Sequence, residues 1–278
     1  MYELLHFFKD IPDEIRIAFL ISGLAFFLIL ESIIPLFKTD YNKVGHAGIN
    51  ITFTLITLVI NLFGAMGIIA AVKYNEINKS GLLNLVNVPI GIYVLSGLAL
   101  MDLIGAWFIH WIQHNVKWMW KFHIIHHCDP NVDVTSGLRH HPGENIFRLF
   151  FTILAVLISG ANFGLVMMYQ TISVFFAHLT HANIIIPLKV DKILSYIFVT
   201  PNFHKIHHHY LQPHTDSNYG NIFSIWDYIF KTTTFIKDKN DLRYGIDTHL
   251  DPKENSSIKN LLMIPFQQYR YPTSIKKI

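Results

Sequence analysis

The chain has 278 residues, of which 51% are hydrophobic and only 15% are charged. Soluble globular domains usually carry about a quarter charged residues, so this composition favours a membrane protein. The formal net charge of +3 and the scattered basic residues give no indication of a nucleic-acid partner, and we expect none. A single cysteine, Cys128, excludes an intrachain disulfide and a cysteine-based zinc module. Histidine stands out, because the chain contains 17 and 14 of them lie between His110 and His214.

The first three apolar runs are each long enough to cross a membrane, since a hydrocarbon core of about 30 Å needs about 20 residues of helix. They are Ile17–Phe37, Ile49–Val72 and Val88–Trp111. The first run is too long for the apolar region of a signal peptide and contains Glu31, so we interpret it as a retained anchor.

A fourth apolar region, Ile146–Ala177, is too long for one ordinary span. The turn-like segment Ser159–Asn162 interrupts it, which predicts a hairpin of two short helices. The next stretch, Ile184–Val199, is broken by a proline and by charged residues, and we interpret it as interfacial. Because the hairpin returns the chain to the side from which it entered, both histidine-rich segments are expected on one face of the membrane.

The positive-inside rule places that face in the cytoplasm, because most of the lysine and arginine residues that flank the spans then lie inside. The sequence therefore predicts an all-α integral membrane protein with four to five transmembrane or re-entrant helices and a histidine-rich metal-binding cap on the cytoplasmic face. We expect N-terminal transmembrane helices over residues 1–97, a catalytic domain over residues 98–234 and a cytoplasmic C-terminal tail over residues 235–278. The composition is typical of bacteria, so the bacterial inner membrane is the expected location.

The histidines fall into four groups with short internal spacing. The groups are His110 and His114; His123, His126 and His127; His178 and His181; and His204, His207 and His208. Residues three and four apart share a face of a helix, so two imidazoles at that spacing can bind one ion. Adjacent histidines diverge by about a quarter turn and can address two ions. The candidate ligands outnumber those that one metal can use, which predicts a two-metal centre, and neutral imidazole suits iron, zinc and copper.

Clustered histidines also occur in proteins that sense pH or handle metal ions, so clustering alone does not establish catalysis. A membrane metal-transport or metal-sensing protein that uses the clusters as a relay is therefore the alternative. That alternative predicts ligands spread over several spans at mid-membrane depth. Here the clusters fall at the ends of spans and in the segments that follow, on one side, which favours an enzyme.

The clusters at residues 110–114, 123–127 and 204–208 resemble, in order and spacing, the three-box signature of the fatty acid hydroxylase/sterol desaturase superfamily. The resemblance covers Leu98–Thr234. Shorter elements agree with it, namely Arg139-His140-His141-Pro142, His181-Ala182-Asn183 and Asn218-Tyr219-Gly220. The segment Phe230-Lys231-Thr232 departs from the family pattern by a missing glycine but loses no ligand.

The resemblance implies a set of metal-binding histidines. They are His110, His114, His123, His126, His127, His181, His204, His207 and His208. His178, one turn before His181, is a tenth candidate ligand. His141 is either a ligand or a residue that holds its own loop in place, while His140 and His209 are expected to face away.

Asp102 lies in the third span, two helical turns before His110. An acidic residue within a span is costly and usually functional. We expect Asp102 to accept a hydrogen bond from a ligand imidazole, with a purely structural hydrogen bond as the alternative. Glu31 is away from the clusters, and for it the structural role is preferred.

The resemblance implies an oxidoreductase in which two iron ions use O2 as co-substrate to hydroxylate, or to desaturate, an unactivated C–H bond of a lipid. The lipid is expected to enter from the bilayer, and a separate electron-transfer protein is expected as the electron donor. Spacing does not distinguish the two reactions, and we favour hydroxylation. Four tryptophans lie around the first cluster, where they either anchor the protein at the membrane interface or line an acyl tunnel. They are Trp107, Trp111, Trp118 and Trp120.

Overall fold

The computed structural model describes residues 1–38, 40–236 and 238–273, and within these ranges the chain is helical with no multi-residue β-strand. The α-helices are α1 (Tyr2–Asp10), α2 (Asp13–Ile33), α3 (Lys43–Asn78), α4 (Ile90–Asp102), α5 (Ile109–Asn115), α6 (Lys117–His127), α7 (Pro142–Ser159), α8 (Phe163–His181), α9 (Leu188–Leu194), α10 (Pro201–His207), α11 (Ile225–Ile229), α12 (Pro252–Asn255) and α13 (Ile258–Met263). A π-helix, Leu103–Phe108, joins α4 to α5.

Within the described residues, five helical segments are long and apolar enough to cross a membrane. They are Asp13–Ile33, Lys43–Asn84, Ile90–Asn115, Pro142–Ser159 and Phe163–His181. Large apolar side chains point away from the protein along these segments; Ile29 is 62% exposed and Leu62 is 64% exposed. Such surfaces are stable in hydrocarbon rather than in water. The predicted all-α integral membrane fold with four to five spans is confirmed.

The predicted hairpin is formed by α7 and α8. The helix α7 ends at Gly160, which has a φ of 76°, a left-handed conformation that glycine adopts without a steric penalty. Asn162 then accepts a hydrogen bond from the backbone N–H of Leu165 and begins α8. The segment after the hairpin forms only the short helix α9, on which Leu188 and Ile193 are exposed apolar residues.

The helices pack tightly around an apolar core. Side chains from α3, α4, α7 and α8 meet there, including Val72, Met101, Val156 and Leu165. The contact between α3 and α7 depends on Gly64, because a Cβ atom at this position would lie 2.5 Å from a methyl carbon of Leu149.

The spans alternate in direction, so α2, α5 and α8 end where α3 and α7 begin. Hydrogen bonds join these ends. Glu31, near the end of α2, accepts from the backbone N–H of Val134 at 3.1 Å and from that of Asn183 at 3.0 Å. Asn50, near the start of α3, donates to the hydroxyl of Thr135 at 2.9 Å. This end of the bundle carries the histidine clusters.

The C-terminal segment packs against the same end. Arg139 is almost fully buried, and it donates to the backbone carbonyls of Ile125 on α6 and of Asn255 in the C-terminal segment. Lys121 on α6 donates to the carbonyl of Gln267 at 2.7 Å. The segment therefore covers α6, which carries one of the histidine clusters.

Replacing Glu31 with alanine is expected to destabilise the protein by about 2–4 kcal/mol, because two buried backbone N–H groups lose their acceptor. Glu31→Gln keeps a carbonyl acceptor and should be destabilised less. The measurement is thermal unfolding in detergent. Ser32→Ala, an exposed position on the same helix, is the matched control and should unfold like the wild type. Wild-type stability of Glu31→Ala would contradict this structural role.

Candidate metal centre

Nine histidines form two adjoining groups at one end of the bundle. One group contains five residues: His110, His114, His123, His127 and His207. The other contains four: His126, His181, His204 and His208. In each group the ring nitrogens lie within 4.8 Å of one another, and eight of the nine residues are buried. These are the nine histidines that the family resemblance implied as ligands.

Helix geometry divides the first HxxHH cluster between the groups. His123 and His127 are four residues apart on α6 and join the five-histidine group, whereas His126 joins the four-histidine group. With 3.6 residues per turn, positions i and i+4 differ by about 40° in direction, while i+3 lies about 60° to the other side. Adjacent imidazoles thus address different groups, as the spacing predicted.

The second HxxHH cluster makes the reciprocal contribution. His204 and His208 belong to the four-histidine group, and His207 belongs to the five-histidine group. The two clusters therefore exchange one residue each, which places the groups side by side. The remaining members come from the ends of spans. His110 and His114 lie one turn apart on α5 and belong to the five-histidine group, and His181, at the end of α8, belongs to the four-histidine group.

The Nε2 atoms of the groups face each other at short range. Nε2 of His123 lies 3.0 Å from Nε2 of His110 and 3.2 Å from Nε2 of His127. In the four-histidine group, Nε2 of His181 lies 3.1 Å from Nε2 of His204. Each pair needs either a shared proton or a cation between the rings.

Backbone carbonyls fix the tautomer of several of these rings. The Nδ1–H of His110 donates to the carbonyl of Tyr219 at 2.8 Å, and that of His207 donates to the carbonyl of Ser217 at 2.6 Å. His181 donates in the same way to a carbonyl of its own helix at 2.8 Å. A carbonyl can only accept, so in the neutral ring the Nε2 atom carries a lone pair.

The rings outside the spans are held in the neutral form. Burial, together with the neighbouring imidazoles, lowers the pKa of His207 well below its usual range. The same causes lower the pKa of His126, His127, His204 and His208. Nε2 of His207 is buried and has no hydrogen-bond partner among the described residues. Converging lone pairs on buried neutral rings fit metal cations, and a donor set of imidazoles suits iron, zinc or copper.

The loop that follows α10 supplies the two carbonyl acceptors at residues 217 and 219. Asp227 holds this loop: its carboxylate accepts from the backbone N–H groups of Tyr219 and Gly220, each at 2.9 Å. The same carboxylate accepts from the indole N–H of Trp107 at 2.9 Å and from the hydroxyl of Thr232. Asp227 therefore acts on the five-histidine group through the backbone that orients its members.

Asp102 was predicted to accept a hydrogen bond from a ligand imidazole, and the structure gives it other partners. Among the described residues, its carboxylate accepts from the backbone N–H groups of Ile222 and Phe223 and from the indole N–H of Trp226, at 3.1–3.2 Å. The π-helix between Asp102 and His110 changes the angular offset that an uninterrupted α-helix would have. Asp102 thus anchors the loop after α10 rather than a ligand imidazole, which is the structural alternative.

Glu144 is a site residue that the sequence analysis missed. It is fully buried on α7, and its Oε1 atom accepts from Nδ1 of His123 at 2.9 Å. It also pairs with His140 at 3.0 Å and with Arg148 at 3.4 Å. The sequence signal that could have identified it is a glutamate in the first turn of an apolar helix, two residues after the proline of the Arg-His-His-Pro element.

His140 is likewise placed differently from the prediction. It was expected to face away, but its ring stacks on that of His126, with centroids 4.7 Å apart. His141 begins α7, where its Nδ1 accepts from the N–H of Gly143 at 2.9 Å, so it holds its own loop and lies outside both groups. His209 also lies outside both groups.

His178 is not brought into either group. It is buried, with Nδ1 close to Gly23 on α2. The i, i+3 spacing turns it about 60° around the helix from His181, towards α2 rather than towards the other imidazoles. The geometry therefore gives no support to a tenth ligand at this position.

Comparison with known proteins agrees with this site. The family model described as fatty acid hydroxylase matches residues 94–232, half of the chain. The chain belongs to the fatty acid hydroxylase family. The matched region of this family member contains both groups of histidines, the loop after α10 and Glu144.

Several curated proteins are similar to this member of the fatty acid hydroxylase family. Ornithine lipid hydroxylase OlsE of Rhizobium tropici is 24% identical over 76% of this chain and 65% of its own length. Alkylglycerol monooxygenase of Xenopus tropicalis is 30% identical over 52% of this chain and 31% of its own. Methylsterol monooxygenase 1-3 of Arabidopsis thaliana is 25% identical over 60% of this chain and 58% of its own length. The chain therefore spans less than two thirds of the length of each of these relatives. No solved structure matches the chain. The relatives give no support to the alternative of a metal-transport or metal-sensing protein.

The double variant His181→Ala/His208→Ala keeps only two donors of the four-histidine group. It is expected to lower the bound metal from about two ions per chain to about one, because a stable site needs at least three protein ligands. Metal analysis of purified protein measures this. His209→Ala, next to the same cluster but outside both groups, is the control and should retain both ions. Retention of both ions by the double variant would contradict the assignment.

Asp227→Asn should weaken metal binding by about 10–100-fold, because the backbone that orients His110 loses one of its acceptors. Competition with a chelator measures the affinity. Asp251→Asn changes an exposed aspartate in the C-terminal segment and should bind metal like the wild type. An unchanged affinity in Asp227→Asn would show that the loop does not position the ring.

Proposed function

We propose that this protein is a membrane di-iron oxygenase that hydroxylates an unactivated C–H bond of a lipid with O2. The observation that carries the proposal is the pair of adjoining groups of imidazoles, eight of the nine buried, whose Nε2 atoms converge at about 3 Å. The five-histidine group would hold one iron ion and the four-histidine group the other. When bound, two iron ions supply the redox capacity that activation of O2 and attack on a C–H bond require.

The chain's own residues prepare the site for this chemistry. Glu144 and the carbonyls of Ser217 and Tyr219 orient imidazoles from outside the groups. The rings are packed against one another and largely buried, which excludes bulk water from the site. Orientation and dryness both favour reaction of one bound carbon over unproductive side reactions.

The proposed reaction balances with an external donor. One atom of O2 enters the C–H bond to give an alcohol, and the other leaves as water after taking up two electrons and two protons. The electrons are proposed to come from a separate electron-transfer protein. The location of the histidines at one end of the spans allows the lipid to enter from the bilayer and the electrons and protons to arrive from the aqueous side.

The proposed substrate class is lipid, with hydroxylation favoured over desaturation. The names of the relatives support this: they act as an ornithine lipid hydroxylase, an alkylglycerol monooxygenase and a methylsterol monooxygenase. We further propose that the protein lies in the bacterial inner membrane with the metal centre facing the cytoplasm. The catalytic domain is proposed to span residues 98–234, with membrane helices before it and a cytoplasmic tail after it.

The proposal is tested by metal analysis together with oxygen uptake in lipid vesicles. Protein loaded with iron and supplied with a chemical reductant should consume O2 only when a substrate lipid is present, and mass spectrometry should detect a lipid heavier by one oxygen atom. His126→Ala/His207→Ala, which removes one donor from each group, should lose at least about 100-fold in rate. His209→Ala is the control. Lipid-independent oxygen uptake, or full activity of the double variant, would overturn the proposal.

A further inference from the structure

An apolar groove runs along the third span beside the metal centre. Its volume is about 410 Å³. The π-helix contributes most of its wall, α5 contributes one tryptophan, and the segment after α11 closes the other side. The residues that line it include Leu103, Ile104, Phe108, Trp111, Phe230 and Thr232. Such a volume is in the range of small-molecule binding sites.

The lining offers an occupant no charge and few polar groups. It contains no charged side chain. Its indole N–H, from Trp107, donates to Asp227, and the hydroxyl of Thr232 donates to the same carboxylate. The indole N–H of Trp111 is the remaining polar group, and it lies on a ring parallel to that of Trp107. The groove therefore suits a hydrocarbon rather than a polar headgroup.

The groove lies where hydrocarbon is available. Its helical wall belongs to the segment Ile90–Asn115, which is long and apolar enough to cross the membrane. Two side chains of the lining are exposed at the surface, Phe108 by 39% and Phe230 by 49%. The groove is thus open on its outer side, towards the lipid that surrounds the span.

On its inner side, two aromatic rings in series, those of Trp107 and Tyr219, separate the groove from the five-histidine group. The ring of Trp107 stacks on Phe230 with centroids 4.4 Å apart and meets Tyr219 nearly at right angles at 6.3 Å. The ring of Tyr219 lies 5.6 Å from that of His110 and 5.1 Å from that of His114. Ring contacts through Trp107 and Tyr219 therefore connect the groove to the five-histidine group.

We propose that this groove binds one acyl chain of the lipid substrate, which enters sideways from the bilayer and reaches the metal centre past Trp107 and Tyr219. The inference rests on the proposed function, since it names the route by which that site receives its substrate. The π-helix is part of the device: its wider turn displaces the wall of the span, and π-helical turns occur frequently at functional sites.

The test uses photolabelling of the full-length, iron-loaded protein in phospholipid vesicles. The probe is a phosphatidylcholine with a diazirine at the end of one acyl chain, and labelled residues are mapped by mass spectrometry. Label is expected on residues 103–111 and on Phe230. Ile104→Trp, which fills the groove, should lower this labelling and the kcat/KM for the lipid roughly tenfold each while both metals are retained.

Leu95→Trp is the matched control, because Leu95 is a 65% exposed residue of the same span and does not line the groove. It should label and turn over like the wild type. If Ile104→Trp loses its metals, Leu103→Phe fills the same groove with a smaller change and replaces it. Label spread evenly over exposed positions such as Leu95, or labelling of residues 103–111 that neither filling variant lowers, would overturn the groove proposal.

The two proposals fail separately. Labelling needs no turnover, so label in the groove without oxygen uptake would overturn the proposed oxygenase and leave the groove as a lipid-binding site. Normal lipid-dependent oxygen uptake with label elsewhere would overturn the groove alone.

Discussion

The convergence of nine imidazoles, eight of them buried, is the constraint on which the rest of the structure depends. Ring nitrogens that face each other at about 3 Å need either a shared proton or a cation between them. The fold holds several of these rings by tying their outer nitrogens to fixed acceptors. Two of these are the carbonyls of Ser217 and Tyr219, and a third is the carboxylate of Glu144.

Two buried aspartates connect the membrane spans to this arrangement. Asp102, in the third span, holds the backbone at Ile222 and Phe223, and Asp227 holds the backbone at Tyr219. Both aspartates therefore hold the same loop, Asp102 from a position before it in the chain and Asp227 from a position after it. Because the loop orients rings of the five-histidine group, a change in the position of the span is transmitted to the metal centre through hydrogen bonds rather than through direct contact with a ligand.

The aromatic layer around Trp107 joins two requirements that conflict. Under the proposed function, the metal centre has to be dry and rigid, whereas a lipid has to reach it from the bilayer. The indole of Trp107 meets both, since its N–H is bound to Asp227 while its ring forms the floor of the apolar groove.

The sequence by itself determined the spans, the hairpin and the nine clustered histidines, because hydropathy and helical spacing are properties of neighbouring residues. It also determined that adjacent histidines such as His126 and His127 diverge. Only the tertiary structure decided which histidine joins which group, that His178 faces α2, and that Glu144 and Asp102 hold a ring and a loop. These outcomes depend on contacts between residues far apart in the sequence, from 21 positions for His123 and Glu144 to 155 for Gly23 and His178, and no local pattern encodes such contacts.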